Sequence, residues 1–144
     1  VRGEAAMNRE DVVRSLVELY AEEVEAALRY LHMSLTLEGP DQARKREQVL
    51  EAMNETLAHA QVVAKKARQL GTVPELRVRV DLPGETLSGE DALAQALAFE
   101  TAARDAYAEL VDKAEGDPEL QEFARAQVQL EDAHVAELEG LLDE

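Results

Sequence analysis

The segment QLEDAHVAELEG, residues 129–140, has the spacing of an amphipathic helix but places two polar side chains on its apolar side. Glu131 and His134 lie one turn apart, on the face that also carries Val135 and Leu138. Burying a carboxylate is costly unless a cation or several hydrogen-bond donors compensate for the lost water. A carboxylate and an imidazole that face the same way can together ligate a metal ion, so this pair is a candidate metal-binding motif.

Polar residues also interrupt the apolar stripes of three other predicted helices. Glu23 falls within the stripe of the first helix and Glu100 within that of the third. The second helix has Glu55 and His59 between its apolar positions. Each of the four helices is therefore predicted to contribute one glutamate to the interior, and the second and fourth to contribute one histidine each.

The two halves of the chain repeat this pattern. Glu23 is followed seven residues later by Tyr30, and Glu100 is followed seven residues later by Tyr107. The repeat indicates an internal duplication with a pseudo-twofold axis through the polar cluster. The tyrosines have two interpretations: they are core residues, or their hydroxyl groups hydrogen-bond to metal-ligating carboxylates.

Four unpaired buried carboxylates would cost more than the free energy of unfolding of a typical domain. Among the basic residues, only Arg104 lies near one of them, one turn beyond Glu100. Two divalent cations would balance four carboxylates, and two neutral imidazoles would complete the ligand set. Oxygen-rich ligation with one nitrogen per ion suits iron or manganese, whereas zinc has no redox chemistry and calcium needs no histidine. The predicted ligands of this dinuclear site are Glu23, Glu55, His59, Glu100, Glu131 and His134.

Composition excludes several other classes of function. The net charge of −16, from 31 acidic and 15 basic residues, disfavours nucleic-acid binding and attracts cations. The absence of cysteine excludes disulfides, iron–sulfur clusters and cysteine nucleophiles. No apolar run is long enough for a membrane span and no secretory signal opens the chain, so we expect a cytoplasmic protein without a membrane partner.

Capping residues and breakers predict four helices, which must position the polar cluster. Asn8 is predicted to start the first, and the capping box of Ser88 and Asp91 to start the third. Asp117 is predicted to cap the fourth, with Pro118 at its first position. Residues 1–7 are expected to form an N-terminal extension and residues 8–144 a single domain; the four helices are expected over residues 8–38, 41–70, 88–115 and 117 to near the end of the chain.

The lengths of the connections predict the topology. The first and last connections are very short, whereas the middle one is about seventeen residues long. A connection of that length can run along a whole bundle, so two hairpins joined by a long crossover are expected. An up-and-down bundle with a loose middle loop is the alternative, and the VRV segment at residues 78–80 is a candidate strand.

Four segments of the chain resemble the ferritin-like superfamily, in particular its bacterioferritin and rubrerythrin branch. ELYAEEVEAALRYLH and SGEDALAQALAFETA are similar to the family's first and third ligand helices. LEDAHVAELEGLL carries the E-x-x-H motif of the fourth helix, and QLGTVPEL resembles the crossover. The resemblance implies an all-α, ferritin-like four-helix bundle in which Glu23 and His134 are terminal ligands, Glu100 is a further ligand and Glu131 bridges the metals.

The second helix departs from the family pattern. It reads NETLAHA, so Glu55 and His59 are four residues apart where the family has E-x-x-H. A π-bulge would bring both into line; alternatively, only one of them is a tight ligand, with Glu51 as the reserve candidate. Thr56 stands where bacterioferritin has its haem-ligating methionine and Met53 lies on another side, so no haem is expected.

The leading hypothesis from the resemblance is a non-haem di-iron protein that oxidises Fe(II) with O₂ or H₂O₂, a ferroxidase for iron handling. Manganese and zinc are possible substitute metals, and Glu55 and Glu131 are the expected bridging ligands. One alternative is a rubrerythrin-like peroxide reductase that retains its irons; another is a non-catalytic, metal-stabilised bundle or shell cargo. We expect a homo-oligomer, a dimer or larger, although the sequence ends without the fifth helix of the family's large cages, which argues against a storage shell.

Overall fold

Four long helices form the molecule, as the sequence predicts. The computed structural model describes the backbone of residues 2–143 and the side chains of residues 9–143. The elements in chain order are α1 (Arg2–Thr36), β1 (Leu37–Glu38), α2 (Gln42–Gln69), β2 (Leu87–Ser88), α3 (Gly89–Lys113) and α4 (Pro118–Leu142). Within the described residues, none of these helices is both long and apolar enough to cross a membrane.

The predicted caps of the last two helices are confirmed. The hydroxyl oxygen of Ser88 accepts a hydrogen bond of 3.1 Å from the amide of Asp91. The carboxylate of Asp117 accepts a bond of 3.1 Å from the amide of Leu120. Each side chain satisfies a backbone donor that has no partner within its own helix.

The start of α1 differs from the prediction. The helix begins at Arg2, so Asn8 lies inside it and does not cap it. Residues 4–7 are Glu, Ala, Ala and Met, which all have high helix propensity, and they extend the helix through the asparagine. Val1 of the expected extension and Glu144 of the expected domain lie outside the described residues.

A short parallel pairing determines the connectivity. Leu37 of β1 lies opposite Leu87 of β2, which places the end of α1 beside the start of α3. In an up-and-down bundle, α3 would start at the opposite end, so the long crossover is confirmed. The candidate strand at residues 78–80 does not form; the residues that pair are 37–38 and 87–88.

The crossover, residues 70–86, runs back along α1. The amide of Arg79 donates a hydrogen bond of 3.0 Å to Glu25. Near its end, the ring nitrogen Nε2 of His32 lies 2.8 Å from the carbonyl oxygen of Pro83. These contacts attach the crossover to the side of the bundle.

Two apolar layers fill the bundle, and a polar layer separates them. One apolar layer is built around Leu16, Val63 and Leu110, which are completely buried. The other contains Tyr30 and Met33, which are 1% and 3% exposed. The residues that separate the two layers are Glu23, Thr56, His59, Glu100, Glu131 and His134.

Candidate metal centre

Three glutamates from three helices are buried in the polar layer. Glu23 on α1 is 5% exposed, Glu100 on α3 is 9% exposed and Glu131 on α4 is 1% exposed. Each occupies a position of its helix that faces the core; Leu19 and Ala27, one turn before and after Glu23, are both 2% exposed. The spacing of the apolar residues thus places these carboxylates inside, as predicted from the sequence.

The two histidines connect the three glutamates. Nδ1 of His59 lies 3.2 Å from Oε1 of Glu131 and 3.6 Å from Oε2 of Glu23. Nδ1 of His134 lies 3.6 Å from Oε2 of Glu131 and 3.7 Å from Oε2 of Glu100. The two rings stack at a centroid distance of 5.9 Å and an angle of 18°.

These residues form two clusters that share one carboxylate. In the first, one ligand atom each from Glu23, His59 and Glu131 lie within 4.8 Å of one another. In the second, the same holds for Glu100, Glu131 and His134. Because Glu131 presents one oxygen to each histidine, it lies where a carboxylate would bridge two ions.

Two tyrosines join the hairpins across the centre. The hydroxyl group of Tyr30 donates a hydrogen bond of 2.7 Å to Oε1 of Glu100. The hydroxyl group of Tyr107 donates one of 3.5 Å to Oε1 of Glu23. The tyrosine of each hairpin thus contacts the glutamate of the other hairpin, which is the arrangement expected of a pseudo-twofold repeat.

Glu55 does not point into the interior, and this corrects the prediction. Its side chain is 59% exposed, and its Oε2 atom lies 3.1 Å from Nε2 of His134. The α2 helix is regular from Gln42 to Gln69, so no π-bulge turns Glu55 inward. A carboxylate in this position contacts Nε2 of His134 and leaves Nδ1 directed at the two buried glutamates.

Thr56 occupies the interior position that was expected for Glu55. It is 5% exposed and lies three residues before His59, the same spacing as between Glu131 and His134. A seven-residue repeat in the sequence of α2 would have identified this interior position. Val49, Thr56 and Val63 are seven residues apart and are all buried.

The remaining candidates lie outside the two clusters. Glu51 is exposed and lines a cavity between α2 and α4. Arg104 lies 3.5 Å from Asp105 and 3.6 Å from Asp132, so it pairs with surface carboxylates. Within the described residues, the three buried glutamates have no ion pair with a lysine or an arginine.

A family comparison decides what kind of bundle this is. The Ferritin family model, described as a ferritin-like domain, matches residues 13–144. The chain belongs to the ferritin family. No curated protein matches it at a significant level.

Solved structures share the fold of this ferritin-like chain at low sequence identity. A ferritin-like diiron-carboxylate protein from Bacillus anthracis str. Ames is 22% identical with a TM-score of 0.83, over 94% of this chain and 97% of that one. CAIP from Helicobacter cinaedi is 17% identical with a TM-score of 0.84, over 91% and 99%. A Dps protein from Bacillus brevis is 16% identical with a TM-score of 0.85, over 94% and 97%.

The electrostatics of the ferritin-like centre are those of a cation site. Contacts with Glu131 and Glu23 raise the pKa of His59 to about 10. Contacts with Glu100 and Glu131 raise the pKa of His134 to about 10. Without metal, both imidazoles are therefore protonated at neutral pH and supply the positive charge that the carboxylates require.

Burial acts on the carboxylates in different ways. It raises the pKa of Glu100 to about 7, with the contact to His134 opposing it. It also raises the pKa of Glu23. Burial would raise the pKa of Glu131 as well, but its contacts with His134 and His59 outweigh that and hold the pKa below its ordinary value. The ionised form of the shared carboxylate is thus the one that its contacts favour.

The donor set of this ferritin-like chain fits two divalent metal ions. Oε2 of Glu131 is fully buried without a hydrogen-bond partner; in the described residues, the other such side-chain atom is Oε1 of Gln127. A buried carboxylate oxygen without a donor is a position for a cation. Three glutamates and two histidines that converge without a lysine or arginine supply hard oxygen donors and one nitrogen per ion, which suits iron.

Proposed function

We propose that this ferritin-like chain binds two Fe(II) ions in the polar layer and oxidises them with O₂ or H₂O₂. The observation that carries the proposal is the sharing of Glu131 between two clusters, each completed by one further glutamate and one histidine. The iron-handling character of the family supports it, since diiron-carboxylate and Dps proteins are among the solved structures with this fold.

Each ion has its own ligands and one shared ligand. Glu23 and His59 would hold one ion, Glu100 and His134 would hold the other, and Glu131 would contribute to both. Glu55 is a positioning residue, because it fixes the ring of His134 from the solvent side. Anionic oxygen ligands stabilise Fe(III) more than Fe(II), so this ligand set favours oxidation.

The histidines of the centre also release protons when metal binds. Binding of Fe(II) displaces a proton from His59 and one from His134, because only a neutral imidazole ligates. Glu55 is exposed beside His134 and provides a path for one of these protons to water. With H₂O₂ as oxidant, two Fe(II) ions supply two electrons, and two protons complete two molecules of water. With O₂, the same two electrons and two protons yield one H₂O₂.

Among the described residues, cavities on two sides of the bundle reach the centre. One, a cavity of about 270 Å³ between α1 and α3, reaches Glu23 and Glu100 and has Glu22 and Glu25 in its lining. The other, a cavity of about 160 Å³ between α2 and α4, reaches Glu100 and His134. Acidic linings in a chain of net charge −16 favour the approach of Fe(II).

We also propose that the protein forms a homo-oligomer. Three leucines on one side of α1 are exposed although they are large and apolar: Leu28 at 40%, Leu31 at 43% and Leu35 at 73%. Their spacing of three and four residues makes them a continuous stripe on the helix. Light scattering should show more than one chain per particle, and Leu35→Lys should shift the particles toward the monomer.

The activity is tested by mixing the anaerobic Fe(II)-loaded protein with O₂ or H₂O₂ in a stopped-flow spectrometer. Ferric absorbance should develop faster than with free Fe(II), and Glu100→Ala should slow it strongly. The matched control is Glu109→Ala, which removes an exposed glutamate of the same helix. Iron released or mineralised after turnover supports the ferroxidase, and iron retained through repeated cycles supports the peroxide reductase. A rate no faster than that of free Fe(II) would contradict both.

A further inference from the structure

The two halves of the centre differ at one buried position. His134 is preceded by Glu131 at a distance of three residues, and His59 is preceded by Thr56 at the same distance. Both preceding side chains are buried, at 1% and 5% exposure. The pseudo-twofold repeat therefore places a hydroxyl group on α2 where α4 has the shared carboxylate.

Because of this difference, the buried carboxylates do not balance the charge of two divalent ions. Among the side chains of residues 9–143, the buried carboxylates are Glu23, Glu100 and Glu131, with a combined charge of −3 when ionised. Two divalent ions carry +4, so the loaded centre would retain a buried charge of about +1. Glu55 does not neutralise it from inside the layer, since its side chain is 59% exposed and lies on the far side of His134.

Space is available next to Thr56. Together with Glu23 and Glu100, the threonine lines the cavity of about 270 Å³ between α1 and α3. Arg29 also lines this cavity, and its guanidinium carbon lies 5.7 Å from the centre of the Phe99 ring. The cavity therefore offers room, a hydroxyl group and the cation of Arg29, although Glu22 and Glu25 also line it and the net positive charge must come from the bound metals.

We propose that Thr56 keeps open a binding position for a small monoanionic oxyanion, such as a short carboxylate, which completes the ligand set after both metals are bound. The inference rests on the dinuclear centre proposed above. The anion would supply the charge that a glutamate at this position would have supplied, and the threonine hydroxyl would donate a hydrogen bond to it. Binding is expected to follow metal loading, because without the metals the imidazolium ions are already paired with the buried glutamates, and Glu22 and Glu25 make the cavity repel an anion.

The experiment uses Co(II) as a redox-stable probe metal and acetate as the anion. The protein is loaded with Co(II) and titrated with sodium acetate, with sodium chloride at equal ionic strength as the reference. We expect two Co(II) per chain, a change of the Co(II) visible spectrum that saturates at one acetate per metal pair, and no acetate binding to the metal-free protein by calorimetry.

Two substitutions at Thr56 separate its role from a structural one. Thr56→Val has nearly the same shape but no hydroxyl group, so acetate should bind about three- to tenfold more weakly with two Co(II) still bound. Thr56→Glu should keep two Co(II) and lose the acetate response, because its own carboxylate fills the position. The matched control is Ala58→Glu, which adds the same charge to the exposed side of α2 and should leave acetate binding unchanged.

The outcomes distinguish this inference from the proposal on which it depends. Two Co(II) per chain without any acetate response would overturn the anion site alone. Thr56→Val with the affinity of the parent protein, or Thr56→Glu with a full acetate response, would also overturn it. Fewer than two Co(II) per chain in the parent protein would overturn the dinuclear centre and the anion site together.

Discussion

At the scale of single residues, Glu131 organises the centre. It is the least exposed of the three buried glutamates, and it is the member common to both ligand clusters. Its ionised state is favoured by two imidazoles, whereas Glu100 at a pKa of about 7 is only partly ionised at neutral pH. The metal-free centre is therefore a cluster of carboxylates and imidazolium ions. Metal binding must remove the protons from the imidazolium ions and from the protonated fraction of Glu100.

Metal binding should release protons in a predictable number. With pKa values of about 10, His59 and His134 are both protonated at pH 7, and Glu100, whose pKa burial raises to about 7, is partly protonated. Binding of a metal pair should therefore release about two to three protons at this pH. Calorimetry in buffers of different ionisation enthalpy measures this number.

The third histidine provides the control. His32 lies against the crossover, so His32→Gln should leave the number of released protons unchanged. Because each proton released on binding favours the bound state at higher pH, metal affinity should fall as the pH is lowered. Release of less than one proton per metal pair would show that the imidazoles are not displaced by metal.

Glu55 should act on one metal position only. Its contact is with Nε2 of His134, so Glu55→Gln should weaken the ion held by His134 by about tenfold or more and leave the other ion nearly unchanged. A Co(II) titration should then show two separate binding phases. Glu51→Gln, which alters an exposed carboxylate one turn earlier, is the matched control. Loss of both ions in Glu55→Gln would instead assign Glu55 a bridging role.

At the scale of the helices, periodicity predicted most of the centre. Glu23, Glu100 and Glu131 each lie on a strongly apolar stripe, so their inward direction follows from the sequence alone. Helix α2 was harder, because Glu55 and Thr56 precede His59 by four and three residues and both spacings place residues on one face. Which of the two points inward depends on the rotation of α2, and that rotation is set by its packing against the other helices.

Local sequence determines where α3 and α4 begin, whereas tertiary contacts determine the strand pairing. Ser88 and Asp117 are local capping signals, and both helices begin where those signals lie. The pairing of β1 with β2 joins segments 50 residues apart in sequence, from Leu37 to Leu87, and no local signal specifies it. The candidate strand at residues 78–80 rested on local composition alone, and it does not form.

The two caps should contribute measurably to stability. Asp117→Ala removes the acceptor for the amide of Leu120 and should lower the free energy of unfolding by about 1 kcal/mol. Ser88→Ala should have a similar effect through the amide of Asp91. Urea denaturation of the metal-free protein measures both. Gln129→Ala, an exposed substitution in the middle of α4, should change little, and equal effects in all three variants would contradict the capping argument.

At the scale of the whole molecule, connection lengths predicted the topology. A middle connection of about seventeen residues is long enough to return along the bundle, and the crossover at residues 70–86 does so against α1. The charge of −16 has a further consequence for the whole protein, because it opposes folding through self-repulsion and makes cation binding stabilising.

The stability of the metal-free protein should fall in alkaline solution. The pKa values of His59 and His134 rise on folding from about 6.5 to about 10. Their contribution to stability is therefore fully present below about pH 6.5 and is lost as the pH rises through 10. Glu100, whose pKa rises to about 7, acts in the same direction. The melting temperature of metal-free protein should decline between about pH 6.5 and 10, and His59→Gln should decline less.

The metal-loaded protein is the internal comparison. Its imidazoles are already neutral, so its melting temperature should be higher and should change less over the same pH range. Half-buried His32 has no such partner among the described glutamates, and His32→Gln should follow the parent protein. Parallel curves for the metal-free and metal-loaded protein would contradict this account of the centre.

The most direct test is an anaerobic titration of metal-free protein with Fe(II), with Glu131→Ala and Glu139→Ala in parallel. Because Glu131 belongs to both clusters, its loss should weaken both ions, whereas Glu139 is an exposed residue of the same helix. We predict saturation at two irons per chain for the parent protein and for Glu139→Ala, and less than one for Glu131→Ala. Fewer than one iron per chain in the parent protein, or two in Glu131→Ala, would contradict the dinuclear centre.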